Sequence, residues 1–151
     1  MGCFKLPIGL CNEIEAMARK FWWGQRGEKR KIHWLKWSEM RKSKSEGGMG
    51  FRDLALHNDS LLAKQAWRLL HDQSSLFYKV FKPFFFPNCT IMEAAKSSSG
   101  SYAWKSKLHG CDVIKRGACW RIGNGQKVQI WQHTWLLIKH HTHVLSPILE
   151  G

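Results

Sequence analysis

Acidic residues are scarce in this chain: Asp and Glu total 11 against 24 Lys and Arg, a formal charge of +13. No pair of aspartates stands in a strand-turn-strand context, so nothing here could hold the two metal ions that nucleotidyl transfer needs. Gly-x-Ser-x-Gly, a phosphate-binding loop and His-Glu-x-x-His are missing too, and Ser, His and Asp occur without triad spacing. A complete active site is therefore not expected. No apolar run approaches the ~18 residues of a membrane span. The five cysteines, Cys3, Cys11, Cys89, Cys111 and Cys119, form no C-x-x-C pair. An odd number without a signal peptide points to reduced thiols inside the cell, in nucleus or cytoplasm, rather than to a disulfide framework. His140, His141 and His143 have no Cys or acid nearby to complete a ligand set, so neither a metal site nor a cofactor is expected.

Positive charge and aromatic rings are plentiful by contrast. A net charge of +13 makes RNA or DNA, or an anionic membrane surface, the natural partner. Nine Trp could stack on unpaired bases, although Trp at helical spacing is more often core. At 151 residues and 44% hydrophobic content, one domain is expected rather than two.

The best-ordered text runs from Gly47 to Leu70. Gly-Gly-Met-Gly reads as a tight loop, Asp53 as the cap of a helix, and Leu54 to Leu70 as that helix. At 100° per residue Leu54, Ala55, Leu61, Leu62, Ala63, Ala66, Trp67, Leu69 and Leu70 share one arc, opposite a stripe of His57, Ser60, Lys64, Arg68 and His71. Asn58 and Gln65 fall inside the apolar arc and need hydrogen-bond partners if buried. Upstream, Leu10, Ile14, Met17, Ala18 and Phe21 mark the inner face of a helix over 10–23, with Glu13 and Glu15 early and Arg19 and Lys20 late. Downstream, Ser74 or Ser75 caps a short helix that Pro83 ends, and another helix runs from Ser101 to about Arg116 with Gly117 as its stop. Residues 118–131 read as a β-hairpin whose parity demands a three-residue loop with Gly125 left-handed. The expected fold is mainly α: about four helices, then one C-terminal β-hairpin.

Between these helices, Arg26 to Lys44 carries eight Lys or Arg against Glu28 and Glu39, with Trp34 and Trp37 interleaved. Such a stretch either binds a phosphate backbone without sequence preference or is a solvated linker. The candidate phosphate contacts are Lys29, Arg30, Lys31, Lys36, Arg41, Lys42 and Lys44, together with Lys64 and Arg68 on the central helix.

The residues Gly47-Gly48-Met49-Gly50-Phe51, Asp53-Leu54, Asn58, Leu61-Leu62-Ala63-Lys64 and Trp67-Arg68 resemble a signature of plant LINE-type non-LTR retrotransposon reverse transcriptases, in the region downstream of the polymerase core. Phe21-Trp22-Trp23-Gly24, the Lys31–Trp37 step and the Gly117–Trp135 segment are similar to further elements of that family, with His133 where it has an aspartate. The resemblance covers Phe4 to about Trp135. It implies a helical thumb or connection over 1–116, the hairpin segment over 117–136 and a tail over 137–151, ahead of zinc-binding and RNase H-like segments. On this reading the chain is a truncated, noncatalytic piece of the polyprotein, with sequence-independent affinity for RNA or DNA and no membrane attachment. The alternative is a gene relic without a stable fold of its own. A third reading, lipidation at Met1-Gly2-Cys3, is weakened by Leu6 where Ser or Thr is expected.

Overall fold

The computed structural model describes residues 2–24, 31–94, 100–119, 121–126, 128–130 and 134–135. Five α-helices are present among them: α1 (Ile8–Trp22), α2 (Trp37–Arg41), α3 (Leu54–His71), α4 (Leu76–Phe85) and α5 (Tyr102–Gly117), with a 3-10 turn at Lys44–Glu46. The chain divides into two compact units, Met1–Val113 and Ile114–Gly151.

The first unit is built on α3. Asp53 accepts the Leu56 amide at 2.9 Å, as its position in the sequence suggests, and Glu15 of α1 accepts the Leu54 amide at 3.0 Å. Two carboxylates thus satisfy orphan amides at the positive end of the helix. The glycine loop ahead of α3 folds back on α2, with the Met49 and Phe51 amides on the Met40 carbonyl and the Gly50 amide on that of Lys42. A Cβ at Gly48 would sit 2.1 Å from the Lys42 carbonyl oxygen, and Gly47 and Gly50 have φ of 83° and 74°. Of the residues on the apolar arc, Leu62, Ala66 and Leu69 are buried, but Trp67 is 51% exposed and lies against His71 instead.

Two other expectations are corrected in the helices. The α1 face carrying Leu10, Met17 and Phe21 is exposed, Phe21 by 85%, whereas Cys11 is the buried residue and Glu15 turns inward. The need for Glu15 at the α3 terminus outweighs the periodicity of the apolar positions. Helix α4, capped by Ser75 through the Tyr78 amide, runs on through Pro83 to Phe85. An interior proline costs ~3 kcal/mol, and the turn beyond it is held by packing. Phe85 stacks on buried Trp104 at 4.6 Å, and Phe86 lies 5.8 Å from the same indole. Helix α5 ends at Gly117, where the sequence places its stop.

Helix α5 meets α3 at Gly110, where a Cβ would fall 2.5 Å from the Leu62 carbonyl oxygen. Residues 2–6 form a strap over these two helices. Asn58, fully buried, accepts the Leu6 amide at 2.8 Å and donates to the Phe4 carbonyl at 2.9 Å. Ser106 Oγ accepts the Lys5 amide at 2.9 Å, the Tyr102 hydroxyl donates to the Lys5 carbonyl, and Lys107 Nζ donates to the Gly2 and Cys3 carbonyls.

In the second unit Gly125 is left-handed, with φ of 77°, at the expected place. Asn124 Oδ1 accepts the Gln126 amide at 3.3 Å. No strand is present among the described residues, so the expected β-hairpin is not formed there. Carbonyls available to a ladder are taken by side chains instead, that of Ala118 by Thr134 Oγ1 and that of Ile130 by Trp135 Nε1. Ile122 and Ile130 are 44% and 49% exposed, and a lone two-stranded ladder with its apolar face uncovered is marginal in water. Trp120, Lys127 and Trp131 lie outside the described residues.

Candidate nucleic-acid interface

Aromatic side chains from three segments gather where α1 ends. Phe51 lies between Trp22, edge-on at 5.1 Å, and Trp37 at 4.8 Å. Trp23 stacks on His33 at 5.8 Å with 16° between the ring planes. Beside them is a cleft of about 470 Å3 lined by Trp22, Trp23, Lys31, Ile32 and Trp34. Trp34 is 77% exposed and Ile32 72%. The indole N–H groups of Trp23 and Trp37 are shielded and have no acceptor among the described residues. The cleft was not foreseen as a site. Its signal in the sequence is the density of rings, Phe21-Trp22-Trp23 followed by His33-Trp34.

The cations expected to meet phosphate divide into two kinds. Lys31, Lys36, Lys44 and Lys64 are exposed and pair with no acid among the described residues. Lys31 lines the aromatic cleft, while Lys36 and Lys44 flank α2 and Lys64 lies on the outer face of α3. The others have partners. The Arg41 guanidinium lies 3.6 Å from Glu15 and pairs with Asp53, joining α2 to α1 and to the start of α3. Lys42 pairs with Glu39 at 2.6 Å, and hydrogen bonding to that carboxylate, then its charge, raises the lysine above its ordinary value. Arg68 lies 3.5 Å from Asp72. Lys29 and Arg30 fall outside the described residues, as do His140, His141 and His143.

A second cluster of ionisable groups holds the strap. Asp59 pairs with Lys5 and lies 3.1 Å from His109 Nε2. Burial alone would raise the Asp59 carboxyl, but the hydrogen bond and charge of Lys5, with help from His109, hold it below its ordinary value. Burial pushes the Lys107 ammonium down, against the opposing influence of Cys3. Lys107 anchors the Gly2 and Cys3 carbonyls and Asp59 the Lys5 side chain, and no three potential ligands for a metal ion come together among the described residues. No helix in the described part is long and apolar enough to cross a membrane.

Two relatives frame this geometry. An uncharacterized mitochondrial protein of Arabidopsis thaliana is 38% identical over 138 residues, covering 91% of this chain and 90% of that protein. A protein of the same plant named "Putative ribonuclease H protein" is 33% identical across 99% of this chain, a match spanning 24% of its own length. No family model matches, and no solved structure does.

Proposed function

Because the chain belongs to the family of retrotransposon-related plant proteins that includes the Arabidopsis mitochondrial protein, we propose that it is a noncatalytic module that grips RNA or DNA by the phosphate backbone, without sequence preference. The reading places it in the stretch between a polymerase core and the zinc-binding and RNase H-like segments of a LINE-type polyprotein. The observation that carries the reading is the set of exposed, acid-free lysines, Lys31, Lys36, Lys44 and Lys64, on a chain of net charge +13. Arg41 serves the scaffold in this reading, and Lys42 and Arg68 contribute once their carboxylate partners give way to phosphate.

Each phosphate neutralised releases condensed counterions, so the logarithm of affinity falls linearly with the logarithm of salt concentration. Replacing any one of the four lysines by Gln lowers that slope by about 0.9 on duplex DNA or about 0.7 on a single strand. A filter-binding salt series measures it, and affinity indifferent to salt refutes the reading.

A second reading, a gene relic whose fold depends on neighbouring polypeptide, draws on the uncovered apolar faces of α1 and α4, where Phe21 is 85% and Phe84 80% exposed. Circular dichroism separates the two. A sharp cooperative melt rules the relic out, and a gradual loss of ellipticity supports it.

A further inference from the structure

We propose that the cleft bounded by Trp22, Trp23, Lys31, Ile32 and Trp34 receives an unpaired nucleobase, so that the module holds single strands in preference to duplex. The inference rests on the backbone-binding function above and adds to it which form of nucleic acid is held.

The walls are aromatic and partly fixed before anything binds. Trp22 is braced edge-on by Phe51 and Trp23 is stacked on His33, so two of the three indoles lose little freedom when a ring slides between them. Trp34, 77% exposed, also lines the cleft, and Ile32, 72% exposed, adds apolar surface. Every base has a π-face, so stacking on indole tolerates any sequence, as a grip on the phosphate backbone also does. The charge at the cleft has the matching sign, since among the described residues Lys31 is its ionisable lining residue and no carboxylate lines it. In a duplex each base is already stacked and paired, so its faces are not available to the cleft.

The experiment compares three fluorescein-labelled probes of equal length by anisotropy: an oligothymidylate, a strand of abasic sites with the same phosphates, and a duplex. The thymidylate is expected to bind about 5- to 150-fold more tightly than the abasic strand, the range that stacking of one base supplies. Trp34→Ala closes that gap, Trp34→Phe keeps most of it, and Lys31→Gln weakens both strands alike. Because Trp34 is largely exposed, truncating it leaves the fold intact, which the circular dichroism melt of the variant verifies. Equal binding of the thymidylate and abasic strands, with a normal salt slope, overturns the stacking site while leaving the backbone grip standing. So does a gap that survives Trp34→Ala. If no probe binds even at low salt, the backbone grip fails and the stacking site with it.

Discussion

Replacing Gly110 by Ala sets two magnitudes of opposite sign against each other. In an exposed helix interior the change stabilises by ~1 kcal/mol, because Ala restricts the unfolded chain and Gly does not. At this position the new Cβ would lie 2.5 Å from the Leu62 oxygen, 2.6 Å from the Leu62 carbonyl carbon and 3.0 Å from the Ala63 nitrogen. All three are backbone atoms of α3, and none can rotate aside as a side-chain tip would. Relief requires α5 to move off α3, loosening the buried Leu62, Ala66 and Leu108. Overpacking of this kind costs about 1–3 kcal/mol, and rigid backbone neighbours put it at the upper end. The net loss expected is therefore about 2 kcal/mol, which for a chain of this size lowers the melting temperature by roughly 4–8 °C. Gly9→Ala is the control, since Gly9 lies in α1 and its Cβ would meet nothing within 4 Å, and it should raise stability by up to ~1 kcal/mol. Urea unfolding followed at 222 nm reads both. Gly110→Ala at or above wild-type stability would refute the close crossing of the two helices.

Arg41→Met should cost about 1–3 kcal/mol in urea unfolding, less than the ~3–5 of a fully buried pair because the side chain is 29% exposed, and an unchanged midpoint would show the pairs with Glu15 and Asp53 to be screened. Asn58→Ala strips the Leu6 amide and the Phe4 carbonyl of their partner at about 1–3 kcal/mol each, so hydrogen exchange at Leu6 should quicken more than in the middle of α3. Asp59 has its folded-state carboxyl held below 3.8, so its contribution is complete above that value and is lost as pH falls through the depressed one. Stability measured from neutral pH downward should therefore decline less steeply below about pH 4 in Asp59→Asn, and equal slopes would count against the Lys5 and His109 pairing. Buried Cys11 should resist thiol reagents until the chain unfolds, while exposed Cys3 reacts at once; equal rates in native buffer would contradict the packing of α1.

Local chemistry was legible in the sequence and long-range polar pairing was not. Asp53 and Ser75 act within three residues of themselves and the Gly47–Gly50 loop on the short helix just before it, and each does what its type and position indicate. Asn58 was readable as a buried amide needing partners, although not which ones, because these come from residues 4 and 6 of the strap. The inner face of α1 was misjudged because its apolar positions were ranked without knowing that Glu15 is needed at Leu54 and Arg41. For the same reason Arg41 looked like a free cation in a basic run. The hairpin failed on a related point: alternation and turn chemistry located the left-handed Gly125, but a ladder also needs a surface to cover its apolar side. In the candidate interface the lysines were visible one by one, whereas the cleft depends on bringing Trp22 and Trp23 beside Trp34, which lies further along the chain.

Besides the Lys5–Asp59 ion pair and the Phe4 ring on Tyr102, the strap over α3 and α5 is held by its main chain. Carbonyls of Gly2, Cys3, Phe4 and Lys5 and amides of Lys5 and Leu6 meet side chains of Asn58, Tyr102, Ser106 and Lys107. The instructions for its path are therefore written in the helices beneath it. Side chains at positions 2 and 3 are free to drift without altering the route, while proline is barred at 5 and 6 by the loss of an N–H, and the four helix residues must change in concert or not at all.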